Sequence, residues 1–147
     1  MKYGLYILIV LAGFLQALGN SMNAQLKSSL QNPWLASLVS FALITAFFLI
    51  AFAVMPRPLP SVEGVTAMPW WAPVGGLAGA VAVFLGLLFV AKIGAGAFNG
   101  LLITANILSS LLIDHWGWAN MPIHSLNFGR VVGGIFMVAG ILLISKY

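Results

Sequence analysis

Polar side chains recur on one face of a long apolar segment, where amides, a hydroxyl and a carboxylate could together bind a solute. The segment has no charged residue from Ile93 to Ile113. Within and just beyond it, residues at steps of four, three, four and four share one face of a helix: Asn99, Ile103, Asn106, Ser110 and Asp114. Neutral amides can donate hydrogen bonds to a solute and also accept them.

A second polar face lies near the amino terminus. Its members follow steps of four, four, three and four: Ala12, Gln16, Asn20, Asn23 and Lys27. Acyl chains cannot form hydrogen bonds with an amide, so we expect both faces to look toward other helices or a water-filled cavity. Two interpretations remain open. The amides could join helices to one another, or they could line the path of a solute, with Ser110 beside them.

Two charged residues are candidates for coupling or gating. Asp114 stands at the end of the uncharged segment and Arg130 follows the next loop. In a transporter, Asp114 could carry a proton or a cation, and Arg130 could bind the substrate. The alternative is structural: Asp114 would be solvated or paired with His115, His124 or Arg130, and Arg130 would bind an acid or open carbonyl groups nearby.

Other kinds of chemistry have little support in the sequence. Cysteine is absent, and the histidines have no second ligand at metal-binding spacing, so no metal site is predicted. We find no paired carboxylates and no nucleophile beside a base, and therefore expect neither an enzyme nor a cofactor. The net charge of +4 comes from scattered residues and does not form the clustered basic face of a nucleic-acid-binding protein.

The composition identifies the environment of these residues. Of 147 residues, 62% are hydrophobic and 5% are charged, and the mean hydropathy is +1.09. A soluble domain of this size could not bury so much apolar surface. The start, with Lys2 before an apolar run, could imitate a secretory signal, but the length of the run and the spans that follow favour an uncleaved first helix.

Hydropathy, prolines and interfacial tryptophans divide the chain into five membrane spans. We predict an all-α membrane protein with a single domain, residues 1–147. The proline-rich segment after the second span is expected to be an exposed connector. Glycines of the third and fifth spans, among them Gly79 and Gly133, are expected to pack helices closely. The predicted spans cover approximately residues 3–30, 33–55, 70–91, 95–114 and 126–145.

The basic residues give no preferred orientation in the membrane. With five spans, one side carries Lys2, Arg57 and Arg130, and the other carries Lys27, Lys92 and Lys146. Orientation follows an excess of Lys and Arg on the cytoplasmic side, and here the two sides are equal. We therefore predict that the chain inserts both ways and pairs with an inverted copy of itself.

Three segments resemble a known family. They are GFLQALGNSMNAQLKSSLQNPWLASLVSF, AFNGLLITANILSSLLIDHWGW and LNFGRVVGGIFMVAGILL, and they are similar to the short YdcZ-type inner-membrane exporters of the drug/metabolite transporter (DMT) superfamily. The resemblance covers essentially the whole chain. It implies a five-helix unit, half of the ten-helix transporters of the superfamily, that acts as an antiparallel homodimer or as a pair of oppositely oriented chains. The family implies no substrate.

Four-helix small multidrug resistance relatives carry a membrane-embedded glutamate in their first helix. This chain lacks it, and Gln16 is the nearest polar residue. We therefore predict a small secondary exporter of the bacterial cytoplasmic membrane that moves an uncharged or weakly polar organic solute between amides of the first and fourth spans. The alternative is a membrane protein that does not transport but packs with or regulates a partner.

Overall fold

The structure is a computed structural model that describes residues 2–55 and 57–147. Met1, Pro56 and the side chain of Lys2 lie outside the described part, so the connector at Pro56 and the Lys2 charge counted above stay predictions from the sequence. The described residues form six α-helices and a short 3-10 turn, Trp118–Asn120, and contain no β-strand. The helices are α1 (Lys2–Leu30), α2 (Pro33–Val54), α3 (Val62–Thr66), α4 (Val74–Ile93), α5 (Ala95–Trp116) and α6 (Phe128–Lys146).

Five of these helices are long and apolar enough to cross a membrane, and they correspond to the five predicted spans: α1, α2, α4, α5 and α6. The predicted all-α membrane fold is confirmed. The helices belong to two compact units, an amino-terminal unit that ends at Lys92 and a carboxy-terminal unit that begins at Ile93. Each unit is described by itself below.

The predicted break between the first two spans lies at Asn32 and Pro33. Gln31 has a left-handed backbone with φ of 52°, and the Asn32 side chain accepts hydrogen bonds from the backbone amides of Trp34 at 3.0 Å and Leu35 at 3.2 Å. Pro33 occupies the first turn of α2, where the missing proline amide leaves no donor unsatisfied. The turn therefore ends α1 and caps α2 within two residues.

The α1–α2 pair packs closely at the end of the hairpin near this turn. Ala24 and Ala36 are buried there, and Ser37 is only 8% exposed. By contrast, every residue of the ranges 3–16 in α1 and 42–50 in α2 is exposed. Most of the surface of this hairpin is therefore available to lipid or to another protein.

The connector between α2 and α4 contains a helix that the sequence did not indicate. Ser61 caps α3, with its Oγ accepting a hydrogen bond from the Gly64 amide at 3.1 Å. As predicted, the described residues of the connector are exposed. α4 begins at Val74, later than the predicted Trp70, because the preceding residues form tight turns in which the Val74 amide bonds to the Trp71 carbonyl at 3.0 Å. Within the same unit, Phe84 of α4 stacks on Trp34, with ring centroids 4.7 Å apart.

In the carboxy-terminal unit, α5 and α6 pack along most of their length. A Cβ on Gly134 would lie 3.0 Å from the Leu108 side chain, and a Cβ on Gly100 would collide with the Ile141 side chain. Gly133, which we predicted to pack helices, faces open space. Close packing within this pair therefore falls one residue later on α6 than predicted, because hydropathy does not reveal which face of an apolar helix meets its neighbour.

Candidate functional site

The candidate residues of α1 differ in their surroundings. Gln16 is exposed, whereas Asn20 is only 7% exposed. Asn23 is half-buried, and its Oδ1 accepts a hydrogen bond from the Ser40 Oγ of α2 at 3.0 Å. Asn23 therefore joins two helices, as the structural interpretation expects, while the exposed Gln16 amide is free to meet groups outside the described chain.

The candidate residues of α5 show the same division. Asn99 is only 8% exposed, and its Nδ2 donates to the Ala95 carbonyl one turn earlier at 2.8 Å. Asn106 and Ser110 are exposed, and the Ser110 Oγ lies 3.4 Å from the Asn106 Oδ1, at the long end of hydrogen-bonding distance. The weakly bonded pair keeps most of its donors and acceptors available, since the Asn106 Nδ2 is not used in this contact.

Asp114 and Arg130 lie together at the end of the α5–α6 hairpin. The Arg130 guanidinium is 3.6 Å from the Asp114 carboxylate, and about a third of each side chain is exposed. The same guanidinium nitrogen donates to the His124 carbonyl at 2.8 Å. Arg130 thus binds both an acid and an open carbonyl, as the structural interpretation predicted. The Asp114 carboxylate is therefore paired and partly solvated, and it does not lie alone in the membrane interior.

The loop that holds this pair is ordered by its own backbone. Gly117 ends α5 with a left-handed φ of 65°, and a Cβ there would lie 2.8 Å from the Ile123 side chain, so only glycine fits. The His124 amide donates to the Asp114 carbonyl at 2.9 Å. Asn127 caps α6 by accepting a hydrogen bond from the Arg130 amide at 2.9 Å. These contacts fix Arg130 beside Asp114.

Sequence reasoning missed the role of His115. Its Nδ1 accepts a hydrogen bond from the Leu126 amide at 3.3 Å, which ties the end of the loop back to α5. This contact requires the Nδ1 position to carry no proton. Within the described residues, no group of three or more His, Asp or Glu side chains is placed to hold a metal ion. The Leu126 contact gives His115 a structural role in the loop.

An apolar groove between α5 and α6 was also not foreseen. Its volume is about 530 Å³. Leu108 and Leu111 form one wall, Gly134 and Val138 form the other, and Arg130 lies at one end. The sequence did contain a pattern that could have indicated the groove, since the leucines of α5 and the small residues of α6 each recur at helical spacing. Hydropathy alone gave no reason to bring these two faces together.

The structure therefore pairs two sets of predicted candidates with each other and pairs Asn23 with Ser40, a residue that was not predicted. Asn106 meets Ser110 and Asp114 meets Arg130 within the carboxy-terminal unit, and Asn23 meets Ser40 within the amino-terminal unit. None of the described side-chain polar atoms that are fully buried lacks a hydrogen-bond partner. The exposed candidates on the spans are Gln16, Asn106 and Ser110.

Comparison with known proteins gives the family. The chain is 27% identical over 84 residues to the inner membrane protein YdcZ of Escherichia coli strain K12, an alignment that covers 57% of this chain and 56% of the relative. The chain thus aligns with little more than half the length of that relative. No solved structure matches the chain. The relative and the five apolar helices identify a multi-pass protein of the inner membrane. Residues 4–143 match one family over nearly the whole chain, and the protein therefore belongs to the family described as "Putative inner membrane exporter, YdcZ".

Proposed function

We propose that this protein is a small secondary exporter of an uncharged or weakly polar organic solute and acts as an antiparallel, dual-topology homodimer. Residues of two polar faces contact the solute: Gln16, Asn20 and Asn23 of α1, and Asn99, Asn106 and Ser110 of α5. Access to the solute alternates between the two sides of the membrane as the helices rock. The family description, an inner membrane exporter, supports the direction of this proposal.

One observation carries the proposal: polar side chains are exposed in the interior of membrane spans. Gln16 lies near the middle of α1 and Asn106 near the middle of α5, and both are exposed. In hydrocarbon, an amide without a partner costs several kcal/mol, on the order of 2–7 by transfer measurements. These amides therefore need water, a solute or a second protein chain beside them, and a dimer that encloses a polar path supplies all three.

The state of the charged residues favours a neutral solute. Asp114, the carboxylate that a cationic solute would need, is already paired with Arg130, and neutral amides do not compensate for the burial of a full charge. We therefore infer that binding depends on hydrogen bonds with the amides. Asp114 and Arg130 are proposed to act at the end of the path, as a gate or a coupling site.

The balance of basic residues supports the inverted pair. Since three Lys or Arg residues fall on each predicted side, insertion in either direction is equally favoured. Reporters active in only one compartment, fused to each end of the chain, test this. Both ends should report from both compartments in one population of cells, and a single fixed orientation would reject dual topology.

Reconstituted vesicles test the transport proposal. Uptake of a panel of labelled neutral hydroxyl- and amide-bearing solutes should include one saturable flux, and Asn106→Ala should reduce this flux about tenfold or more, the effect of losing roughly 1.4 kcal/mol of binding. Gln16→Ala, Asn20→Ala and Asn99→Ala should also reduce it. Thr45→Val, which removes an exposed hydroxyl bonded within its own helix, is the matched control and should leave the flux unchanged.

The alternative function, a membrane protein that packs with or regulates a partner, has one observation in its favour. The side-chain oxygen of Asn23 already accepts a hydrogen bond from Ser40, as the oxygen of an amide that joins two helices would. In that case, no solute of the panel would show saturable uptake, and the amide substitutions would lower the stability of the protein without changing any flux.

A further inference from the structure

The groove between α5 and α6 has the dimensions of one lipid chain. On α6 it extends from Arg130 to Leu142, which is about 18 Å at 1.5 Å per residue. One leaflet contributes about half of the hydrocarbon core of about 30 Å, or roughly 15 Å. The groove therefore covers the depth of one leaflet and extends about 3 Å beyond it along α6.

The walls and the end of the groove differ in chemistry. Apart from Arg130, the lining is apolar along its length, and the Leu108 side chain lies against Gly134. The other aliphatic lining residues include Leu111, Leu112, Val138 and Leu142. Arg130 is the one charged side chain among the described residues that line it. One guanidinium nitrogen serves both Asp114 and the His124 carbonyl, so donors on the other nitrogens remain for an anion.

From this geometry we propose that the groove binds one phospholipid, with an acyl chain along the leucine-lined wall and the phosphate on the Arg130 guanidinium. Phosphate is the anion that a membrane supplies at this depth, and arginine binds it through two parallel hydrogen bonds. A chain of methylene groups gains stabilisation from the aliphatic walls, at about 0.8 kcal/mol for each fully buried group in the general case.

A second copy of this chain is a poorer occupant. The two acidic residues of the sequence, Glu63 and Asp114, are predicted to lie on the same side of the membrane as Arg130. In an inverted copy they would lie on the opposite side and could not approach Arg130. This step rests on the proposed antiparallel pairing, whereas the groove and its arginine are features of a single chain.

Native mass spectrometry of the purified full-length protein in detergent micelles tests the proposal. Dioleoylphosphatidylglycerol should bind at one molecule per chain, and dioleoylglycerol, which has the same chains and no phosphate, should bind about tenfold more weakly. Arg130→Gln should weaken phosphatidylglycerol binding by a similar factor. Lys146→Gln removes the same charge at the far end of α6 and should have no effect.

A second pair of variants tests the groove without touching Arg130. Ala139 lines the groove, so Ala139→Trp should fill it and abolish the one-to-one lipid complex. Leu143 is 61% exposed and does not line the groove, so Leu143→Trp should bind lipid normally. This pair keeps the proposal testable if Arg130→Gln fails to fold.

Three outcomes of these experiments would each reject the lipid site. Equal binding of the two lipids, or normal lipid binding by Ala139→Trp, would overturn it. If Ala139→Trp instead converts dimers to monomers, the groove is an interface between copies. The experiment contains no flux measurement, so loss of the lipid site leaves the proposed transport function standing, and an absence of transport leaves the lipid site standing.

Discussion

The two helical hairpins of this chain have different designs. In α1–α2, a two-residue link is capped by Asn32, and the helices are buried mainly near that link. In α5–α6, an eleven-residue link, 117–127, folds back on the helices, and the packed positions extend from Gly100 and Ile141 to Asp114 and Arg130. The helices of the first hairpin are thus packed together at one end, whereas those of the second are packed together along their length.

This difference suggests a division of roles. A hairpin held along its length by glycine contacts and an ion pair moves as a rigid body, because its helices cannot separate without losing packing at many positions. A hairpin held at one end can change the angle between its helices at little cost. If access alternates by rocking, we expect α1 and α2 to move relative to one another and α5 and α6 to remain together.

The largest expected effect comes from filling the glycine contact of the second hairpin. Gly134→Leu should destabilise the protein by about 1–3 kcal/mol, the usual range for overpacking, because the new Cβ would lie only 3.0 Å from the Leu108 side chain and the rest of the leucine has little free space on that side. Gly133→Leu is the matched control, since its Cβ would meet open space. Reversible unfolding in detergent micelles measures both free energies. An equal loss for the two variants would show that packing along α5–α6 does not depend on Gly134.

The next effect concerns the short link of the first hairpin. Asn32 accepts hydrogen bonds from two backbone amides, and Asn127, which caps α6, accepts one. Asn32→Ala should therefore cost about 1 kcal/mol or somewhat more, and Asn127→Ala should cost less. Asn32→Asp, which retains the accepting oxygens, should restore most of the loss. The comparison fails if the two alanine variants lose equal stability, since the short link would then depend on its cap no more than the long one.

Hydropathy, together with helix-breaking and helix-capping residues, predicted much of the fold. The five spans follow from uncharged apolar length, and the break at Asn32 and Pro33 follows from the missing proline donor and a capping side chain. The local pairing of Asp114 with Arg130 was one of the predicted alternatives, because a charge at a helix end seeks an opposite charge nearby. These features are local in sequence.

Features that depend on how helices face one another were not predictable in the same way. The shift of the glycine contact from Gly133 to Gly134 and the groove depend on the rotation of α6 about its axis. The Leu126 contact with His115 depends on how the 117–127 link folds back on α5. An apolar helix has nearly the same composition on every side, so its sequence does not fix that rotation. The sequence also could not tell that Asn23 meets Ser40 while Gln16 stays exposed, because both lie on the polar face of α1 and only the end of the hairpin near Asn32 is packed.

The smallest expected effect tests whether the first hairpin relies on its interhelical hydrogen bond. Ser40→Ala removes the donor to Asn23 and should cost about 0.6 kcal/mol, the average for hydrogen bonds between helices in a membrane. Ser37→Ala in the same helix is the control, because its hydroxyl bonds to the Pro33 carbonyl within α2. A double-mutant cycle with Asn23→Ala isolates the pair, and its coupling energy should match the loss from Ser40→Ala.

A coupling near zero together with reduced solute uptake by Asn23→Ala would assign Asn23 to the solute path. A coupling of the expected size with unchanged uptake would assign it to the joint between α1 and α2, and the proposed path would then lose one of its amides.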